Sequence, residues 1–177
     1  MYKKTITLDL SPQGVRRVAD EVREFAIWVK QKTDELLARL ADIGWKEAEV
    51  NFAAVMPYYN SGEVVDIGGA VTEANITVDR IENGYVIRAS GHDVCFIEFG
   101  AGVTYGEGYP GDRPEEVVGI GEYGKGHGAD PKGWWYLADP MNKRYQHTKG
   151  NPPAAGMFAA EQTVRQQVYN IAKEVFA

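Results

Sequence analysis

The chain has 177 residues, a single cysteine and a formal net charge of −6 at neutral pH. This length suits one domain around one hydrophobic core, and one cysteine excludes an internal disulfide and zinc sites built from paired cysteines. No stretch approaches the roughly 20 consecutive apolar residues of a membrane helix, and the start, MYKKTITLDL, lacks the apolar core of a signal peptide, so we expect synthesis in the cytoplasm and no membrane partner.

Charge is distributed unevenly along the chain. Residues 47–100 carry nine acidic and two basic side chains, and no basic cluster in the chain is larger than a pair such as Arg16-Arg17 or Lys143-Arg144. A protein that binds nucleic acid without sequence preference needs a basic surface that displaces counterions from phosphates. DNA binding is therefore disfavoured as the main task.

A long helix is predicted from Ser11 to Ile43. Ser11 suits the N-cap, Pro12 suits the first turn, and Gly44 suits the position just past the end. The helical spacing is set by Val15, Val18, Val22, Phe25, Val29, Leu36, Leu40 and Ile43. About 32 residues give roughly 48 Å, more than a small core usually covers. Either the helix lies across its own sheet, or part of it rests on a partner chain, or the polar residues 30–34 mark a bend.

Strands are predicted after this helix. Alternation from Ala48 to Ala54 is typical of a half-buried strand. The runs Thr72–Ile81 and Tyr85–Ser90, joined by Glu82-Asn83-Gly84, predict a β-hairpin. We expect an antiparallel sheet of three or more strands.

The carboxy-terminal region predicts a second helix behind a glycine- and aromatic-rich segment. The helix begins after Pro152-Pro153, and its apolar positions are Met157, Ala160, Val164, Val168, Ile171 and Val175. The segment before it contains Trp134, Trp135 and Tyr136, residue types favoured both in a local core and in an interface with a subunit or partner. The whole pattern predicts one α+β domain over residues 1–177. The long N-terminal helix and the C-terminal helix pack on a small antiparallel sheet, with an extended loop inserted at about residues 102–150.

Sequence motifs for catalysis, metals and cofactors are weak. Residues 119–124 match GxGxxG, but no helix can follow them, so a nucleotide is not expected. His92, His127 and His147 lack the short spacing of metal ligands, and a catalytic pair of Cys95 with His92 is disfavoured because they lie three apart on one short element. Cys95 is instead expected as a buried core side chain. We predict no catalytic, cofactor-binding or metal residues.

The stretch CFIEFGAGV, residues 95–103, places Glu98 among apolar neighbours. A partly buried carboxylate has to be satisfied, so we expect Glu98 to accept hydrogen bonds from the turning backbone of Gly100–Gly102 or to pair with a basic group. Positive φ angles at those glycines would allow the sharp exit. The alternative is an enzyme that uses Glu98 with a histidine such as His92.

Two motifs give the chain a family resemblance. Phe96-Ile97-Glu98-Phe99-Gly100, after a hairpin, resembles the central signature of the HK97 gp10-like family of tailed-phage and prophage neck or tail proteins. The turn with Pro152, Pro153 and, beyond it, Phe158 is similar to that family's second element, a Pro-rich turn that opens a carboxy-terminal helix. The long insertion is a departure from shorter members, as is Ala154-Ala155-Gly156 where an arginine is often found.

The resemblance implies a structural virion protein, assembled in the host cytoplasm, and no enzyme. Such proteins join head to tail or complete the tail, and they form rings, commonly hexameric, between portal or head-completion proteins and tail-tube or tail-terminator proteins. DNA passes through such a ring without specific binding. Another minor tail or tail-terminator role is the nearest alternative. Two hypotheses follow: the segment 102–149 orders on assembly, and the acidic residues within 47–100 face the channel.

Overall fold

The computed structural model confirms the α+β class, with a long N-terminal helix, a C-terminal helix and small antiparallel sheets. It describes residues 5–7, 9–60, 74–91, 94–100, 109–112, 132–139, 141–148 and 152–177. The elements are α1 (Pro12–Asn60), β1 (Asn75–Ile81), β2 (Gly84–Ser90), α2 (Val94–Phe99), β3 (Trp134–Asp139), β4 (Arg144–Thr148) and α3 (Gly156–Val175).

Helix α1 begins where the sequence predicts and ends much later. The N–H of Gly14 donates to Ser11 Oγ at 3.0 Å, which confirms Ser11 as the capping residue. The helix has 49 residues, or about 73 Å at ~1.5 Å per residue. The predicted end at Gly44 and the predicted strand Ala48–Ala54 are therefore wrong, since both lie inside α1.

Close packing, not helix termination, explains Gly44. A Cβ atom at this position would lie 2.6 Å from Ile87 Cδ1 and 3.0 Å from Val164 Cγ2, so β2 and α3 both approach the α1 backbone there. Ala48 and Phe52 follow at helical spacing and are buried, while Val50 between them is exposed. The sequence analysis interpreted these apolar residues with the two-residue period of a strand, whereas the buried ones follow the 3.6-residue period of a helix.

The predicted hairpin is confirmed, with a connection one residue shorter than predicted. β1 and β2 pair antiparallel, and Ile81 pairs directly with Gly84, so the loop residues are Glu82 and Asn83. The indole N–H of Trp45 donates to the carbonyl of Ile76 at 3.1 Å and ties the hairpin to α1. Within the described ranges this sheet has two strands, because the predicted third strand, Ala48–Ala54, lies inside α1.

A second hairpin lies inside the predicted loop insertion. β3 and β4 pair antiparallel in their own two-stranded sheet, with Trp135 opposite His147 and Leu137 opposite Tyr145. The insertion therefore includes regular structure where the sequence predicts a loop. Its other positions, apart from residues 109–112, 132, 133 and 141–143, lie outside the described residues.

Helix α3 confirms the predicted C-terminal helix and runs antiparallel to α1. Phe52 lies against Gly156, Gly44 against Val164, and Trp28 against Phe176. Among the described residues, two small clusters form the core. One centres on Phe52 and Ile97, with Ala74, Ile76, Ala89, Val94, Ala154 and Met157 around them. The other consists of Leu40, Ile171 and Val175, with Leu36, Ile43, Val164 and Phe176 around them.

One core prediction fails on the short helix α2. Cys95 is exposed, whereas Ile97 and Glu98 are buried and Val94 packs against the Phe52 cluster. Positions 94, 97 and 98 share one helical face, and position 95 points away from it. None of the described helices is both long and apolar enough to cross a membrane.

Candidate functional site: the Glu98 clamp

Helix α2 positions Glu98 against the start of α3. Ile97, in the same turn, is fully buried and anchors α2 to Phe52 of α1. Gly100 ends the helix with φ 73°, a left-handed conformation that glycine adopts without steric cost. The predicted positive φ is thus confirmed at Gly100, while Gly102 lies outside the described residues.

The Glu98 carboxylate is 5% exposed and accepts three hydrogen bonds. Its Oε2 accepts from the N–H of Met157 at 3.0 Å, and its Oε1 accepts from the N–H of Phe158 at 3.1 Å. The hydroxyl of Tyr109 donates to Oε1 at 3.1 Å. The described donors are thus two amides of α3 and a tyrosine, while Ala101 and Gly102 of the predicted turn lie outside the described residues.

The carboxylate replaces a missing N-cap. Ala155 occupies the capping position of α3 with φ 49° and ψ 34°, and it makes no capping bond because alanine has no polar side chain. The first amides of a helix have no partner within the helix, and they carry a partial positive charge. Glu98 satisfies the second and third of them with a negative charge, from 59 and 60 positions away in the chain.

The backbone makes the reciprocal contacts. The N–H of Ala154 donates to the carbonyl of Ile97 at 2.7 Å, and the N–H of Ala155 donates to the carbonyl of Glu98 at 3.0 Å. Carbonyls at the end of α2 are thereby satisfied by the segment that enters α3. We call the hydrogen bonds that join Ile97 and Glu98 to residues 154–158 the Glu98 clamp.

Aromatic rings cover the clamp. Tyr109 packs edge-on against Phe99 with ring centroids 4.9 Å apart and against Phe158 at 5.9 Å. Gly111 allows the chain to pass close over the ring of Phe158, because a Cβ atom there would lie 2.7 Å from Phe158 Cδ2. Excluding water from a hydrogen-bonded carboxylate strengthens its electrostatic interactions.

The structure brings together the two motifs that carry the family resemblance. Phe99 and Gly100 adjoin the carboxylate, and Phe158 donates to it. Pro152 and Pro153 immediately precede the residues that bind α2, and Phe96 lies partly buried on α2 itself. Two segments separated by more than fifty positions thus form one local structure.

The candidate interface residues lie apart from the clamp, on β3. Trp135 is 68% exposed and packs edge-on against His147 at 5.2 Å between centroids. Trp134 and Tyr136 pair through the backbone with Thr148 and Gln146 of β4. Exposure of Trp135 favours the interface interpretation over a local core at that position.

No group of three or more metal-ligating side chains occurs among the described residues. An open cavity of about 440 Å³ lies beside the clamp, and Tyr109, Asp112, Phe158 and Arg165 help to line it, but Glu98 does not. His92, His127 and the residues 119–124 lie outside the described ranges.

Comparison with known proteins adds no relative: no family model, no curated protein and no solved structure matches the chain. The clamp therefore has to be interpreted from its own contacts. Sequence reasoning missed Tyr109, Ala155 and Met157. Only Ala155 could have been recognised from the sequence. A helix whose N-cap is alanine has no polar side chain to accept from its first amides, so the acceptor must come from another part of the chain.

Proposed function

We propose that this chain is a structural protein of a tailed-phage or prophage virion, a head-tail joining or tail-completion component that forms a ring around the DNA channel. The observation that carries the proposal is the Glu98 clamp. The resemblance rests on two motifs, and both take part in the clamp. The motif around Glu98 supplies the carboxylate, and the Pro-rich motif supplies the start of α3 that the carboxylate caps.

The contacts of Glu98 support a structural role over a catalytic one. A general acid or nucleophile must be within reach of a substrate. Both oxygens of Glu98 are held by structural donors, and the carboxylate does not line the adjoining cavity. His92, the histidine that the small-enzyme alternative pairs with Glu98, lies outside the described residues.

The proposed partners follow from the position in the particle. A ring of copies, hexameric by the resemblance, would contact portal or head-completion proteins on one side and tail-tube or tail-terminator proteins on the other. Ring closure requires that one surface of a copy meet a different surface of the next. The exposed aromatic face of the β3–β4 hairpin supports such contacts, since Trp and Tyr are favoured at interface centres.

Disruption of the gene in the phage or prophage that encodes it tests the function. Electron microscopy should show filled heads and separate tails that fail to join, and a plasmid copy of the gene should restore complete particles. Mass spectrometry of purified wild-type particles should detect the chain in a few copies per virion. Particles that form normally without it and do not contain it would overturn the proposal. Heads joined to tails of aberrant length would instead indicate the tail-terminator role.

The acidic segment leads to a second test of the ring. We propose that the carboxylates within residues 47–100 face the channel, where negative charge repels DNA phosphates and lets the genome pass without adhering. Among those described, Glu49, Asp79 and Glu82 are exposed. A reconstruction of the neck by electron microscopy with these three side chains on the outer wall would contradict the proposal.

A further inference from the structure

The outer edge of β2 presents backbone groups that have no partner. Ile81 and Gly84 close the two-residue loop of this hairpin as a hydrogen-bonded pair, and such pairs alternate along an antiparallel ladder. The N–H and C=O groups of Tyr85, Ile87 and Ala89 therefore point away from β1. Among the described residues, no hydrogen bond reaches these groups. An edge of this kind is a template for a further strand.

The outer edge of β1 differs, because α1 binds it. The carbonyl of Ile76 belongs to the set that points away from β2, and it accepts the indole N–H of Trp45 at 3.1 Å. Arg80, also on β1, forms an ion pair with Asp34 of α1 at 3.5 Å. Within the described part of the chain, β2 is thus the edge of this sheet that offers free backbone groups.

The β3–β4 hairpin lacks the support that the first hairpin has. β1 and β2 pack against α1, whereas no other described helix or strand packs extensively against the β3–β4 hairpin. A two-stranded sheet is marginally stable in water unless further strands or a helix cover it. A register shift between Leu137 and Asp139 disrupts the edge of β3, while β4, Arg144–Thr148, contains neither glycine nor proline. β4 is therefore the strand of this hairpin that is suited to pairing with another edge.

The turns of the two hairpins carry opposite charges. Glu82 in the β1–β2 turn and Lys143 in the β3–β4 turn are exposed, and neither forms an ion pair with a described residue. The other charged side chains of β1 and β2 already form ion pairs, namely Asp79 with Arg88 and Arg80 with Asp34. Each of β2 and β4 begins just after its turn, so parallel pairing of these strands places Glu82 beside Lys143. Antiparallel pairing separates the two charges by the length of the strands.

We propose that β4 of one copy pairs in parallel with the outer edge of β2 in the next copy, which joins the two hairpins into a four-stranded sheet. The inference rests on the proposed function and deepens it, since it names the surface of the neighbouring copy that receives the β3–β4 hairpin. The contact joins two different surfaces, as closure of a ring requires. Sheets that combine parallel and antiparallel pairs are common. Because the turns lie at the end of the joined sheet, Glu82 stays in contact with solvent there, as its proposed place at the channel requires.

Charge reversal tests the pairing without altering either strand. Light scattering coupled to size exclusion, over a range of concentrations, measures self-association of the full chain. We expect Glu82→Lys and Lys143→Glu each to weaken association about fivefold, because each places like charges together. Glu49→Lys, the same change at an exposed residue of α1, is the control and should change association less than about twofold.

Mixing the two variants shows whether the contact lies between copies. In an equal mixture of Glu82→Lys and Lys143→Glu chains, every contact between unlike copies joins opposite charges, so association should return to the wild-type level. Pairing of β2 with β4 inside one chain predicts no recovery on mixing. A mixture that stays as weak as its components, or a wild-type chain that is monomeric at every concentration, would overturn the proposal.

Proline substitutions test the choice of edge. Tyr85 of β2 and Arg80 of β1 lie opposite each other and both direct their N–H outward, so proline at either position removes no bond of the ladder. We expect Tyr85→Pro to weaken association at least about tenfold and Arg80→Pro less than about twofold. Circular dichroism checks that both chains fold, and equal weakening by two folded variants would exclude the β2 edge. If either variant is unfolded, the mixture of charge variants decides.

Particle composition separates this inference from the proposed function. If purified particles contain the chain while the mixed charge variants fail to associate, the neck role stands and the pairing of β2 with β4 is wrong. If mixing restores the oligomer while particles lack the chain, the strand pairing is correct and the neck role fails.

Discussion

At the scale of single residues, the loss of the Glu98 carboxylate should destabilise the fold. Its charge is buried, and three donors depend on it. Removing an acceptor leaves those donors unsatisfied in a water-poor site, which costs more than the net contribution of an ordinary hydrogen bond. The structural role thus predicts a stability effect and no specific loss of an activity.

Glu98→Gln should lower the free energy of unfolding by about 1.5–3 kcal/mol, because the amide is neutral and only one of its atoms accepts hydrogen bonds. Urea denaturation of the monomeric chain measures the change. Glu161→Gln is the matched control, since Glu161 lies on the exposed side of α3 in a surface ion pair with Arg165 and should cost less than about 1 kcal/mol. Similar losses in both variants would contradict the capping role.

The start of α1 carries a pH dependence of its own. Asp9 accepts hydrogen bonds from the side-chain hydroxyl and the backbone N–H of Ser11, and these bonds hold the pKa of Asp9 below its ordinary value of 3.8. A depressed pKa means that the ionised carboxylate stabilises the folded helix start. That stabilisation is present above pH 3.8 and is lost as the pH falls through the lower folded pKa.

An NMR titration of the Asp9 carboxyl checks this expectation. Its midpoint should lie below 3.8 in the wild-type chain and return toward that value in Ser11→Ala, which removes the hydroxyl donor. The amide signal of Gly14, the group that Ser11 caps, should shift with the same midpoint. An Asp9 midpoint that Ser11→Ala leaves unchanged would show that Ser11 is not the cause.

At the scale of elements, Gly156 of α3 allows close packing against α1. A Cβ atom at Gly156 would overlap the ring of Phe52 and lie 3.2 Å from the carbonyl of Ala48. Phe52 is buried and cannot move aside, so the two helices would have to separate.

Gly156→Ala should therefore destabilise the chain by about 1–3 kcal/mol, although alanine is the better helix former. Gly84→Ala is the control: nothing lies within 4 Å of a Cβ atom at Gly84, and we expect a change within about 0.5 kcal/mol. Urea denaturation compares the two, and a stabilised Gly156→Ala variant would show that the helices can separate without loss.

The sequence predicted correctly those elements that are marked by a nearby cap, turn or apolar stripe. The start of α1, the β1–β2 hairpin and α3 each have a cap, a turn or a long apolar stripe, and each is present. The end of α1 was predicted wrongly because Gly44 does not end the helix. It leaves room for Ile87 and Val164, which lie far from it in the sequence and which local patterns do not show. The clamp could be predicted only in part. The sequence indicates that Glu98 accepts hydrogen bonds, but it does not show that the donors are amides of α3.

At the scale of the whole molecule, the β3–β4 hairpin presents exposed aromatic and apolar side chains. Trp135, Tyr145 and Met141 are all exposed. If residues 102–149 order against a neighbouring copy or a neck protein, as we propose, protease cleavage within them should be fast in the monomer and slow in the assembled ring. Mass spectrometry of the fragments gives both cleavage rates, and equal rates would contradict ordering of this segment on assembly.

Trp135→Ser provides the corresponding variant. With its side chain 68% exposed, the substitution should leave the free energy of unfolding within about 1 kcal/mol while weakening ring formation. Tyr169→Ser on α3, where the side chain is 73% exposed, serves as the control for loss of an exposed aromatic side chain. Unchanged ring formation in Trp135→Ser, measured by light scattering, would remove the hairpin from the interface.

The Glu98 clamp also has a consequence for how this protein can diversify. Because Ala154 and Ala155 bind the carbonyls of Ile97 and Glu98, the two ends of the intervening chain are held together by the frame itself. Closing a flexible loop costs only about 0.6 kcal/mol more for each doubling of its length. Because the clamp fixes both ends, the segment between them can change in length at little cost in stability. We therefore expect new recognition sequences to be tolerated there while the two long helices stay in place.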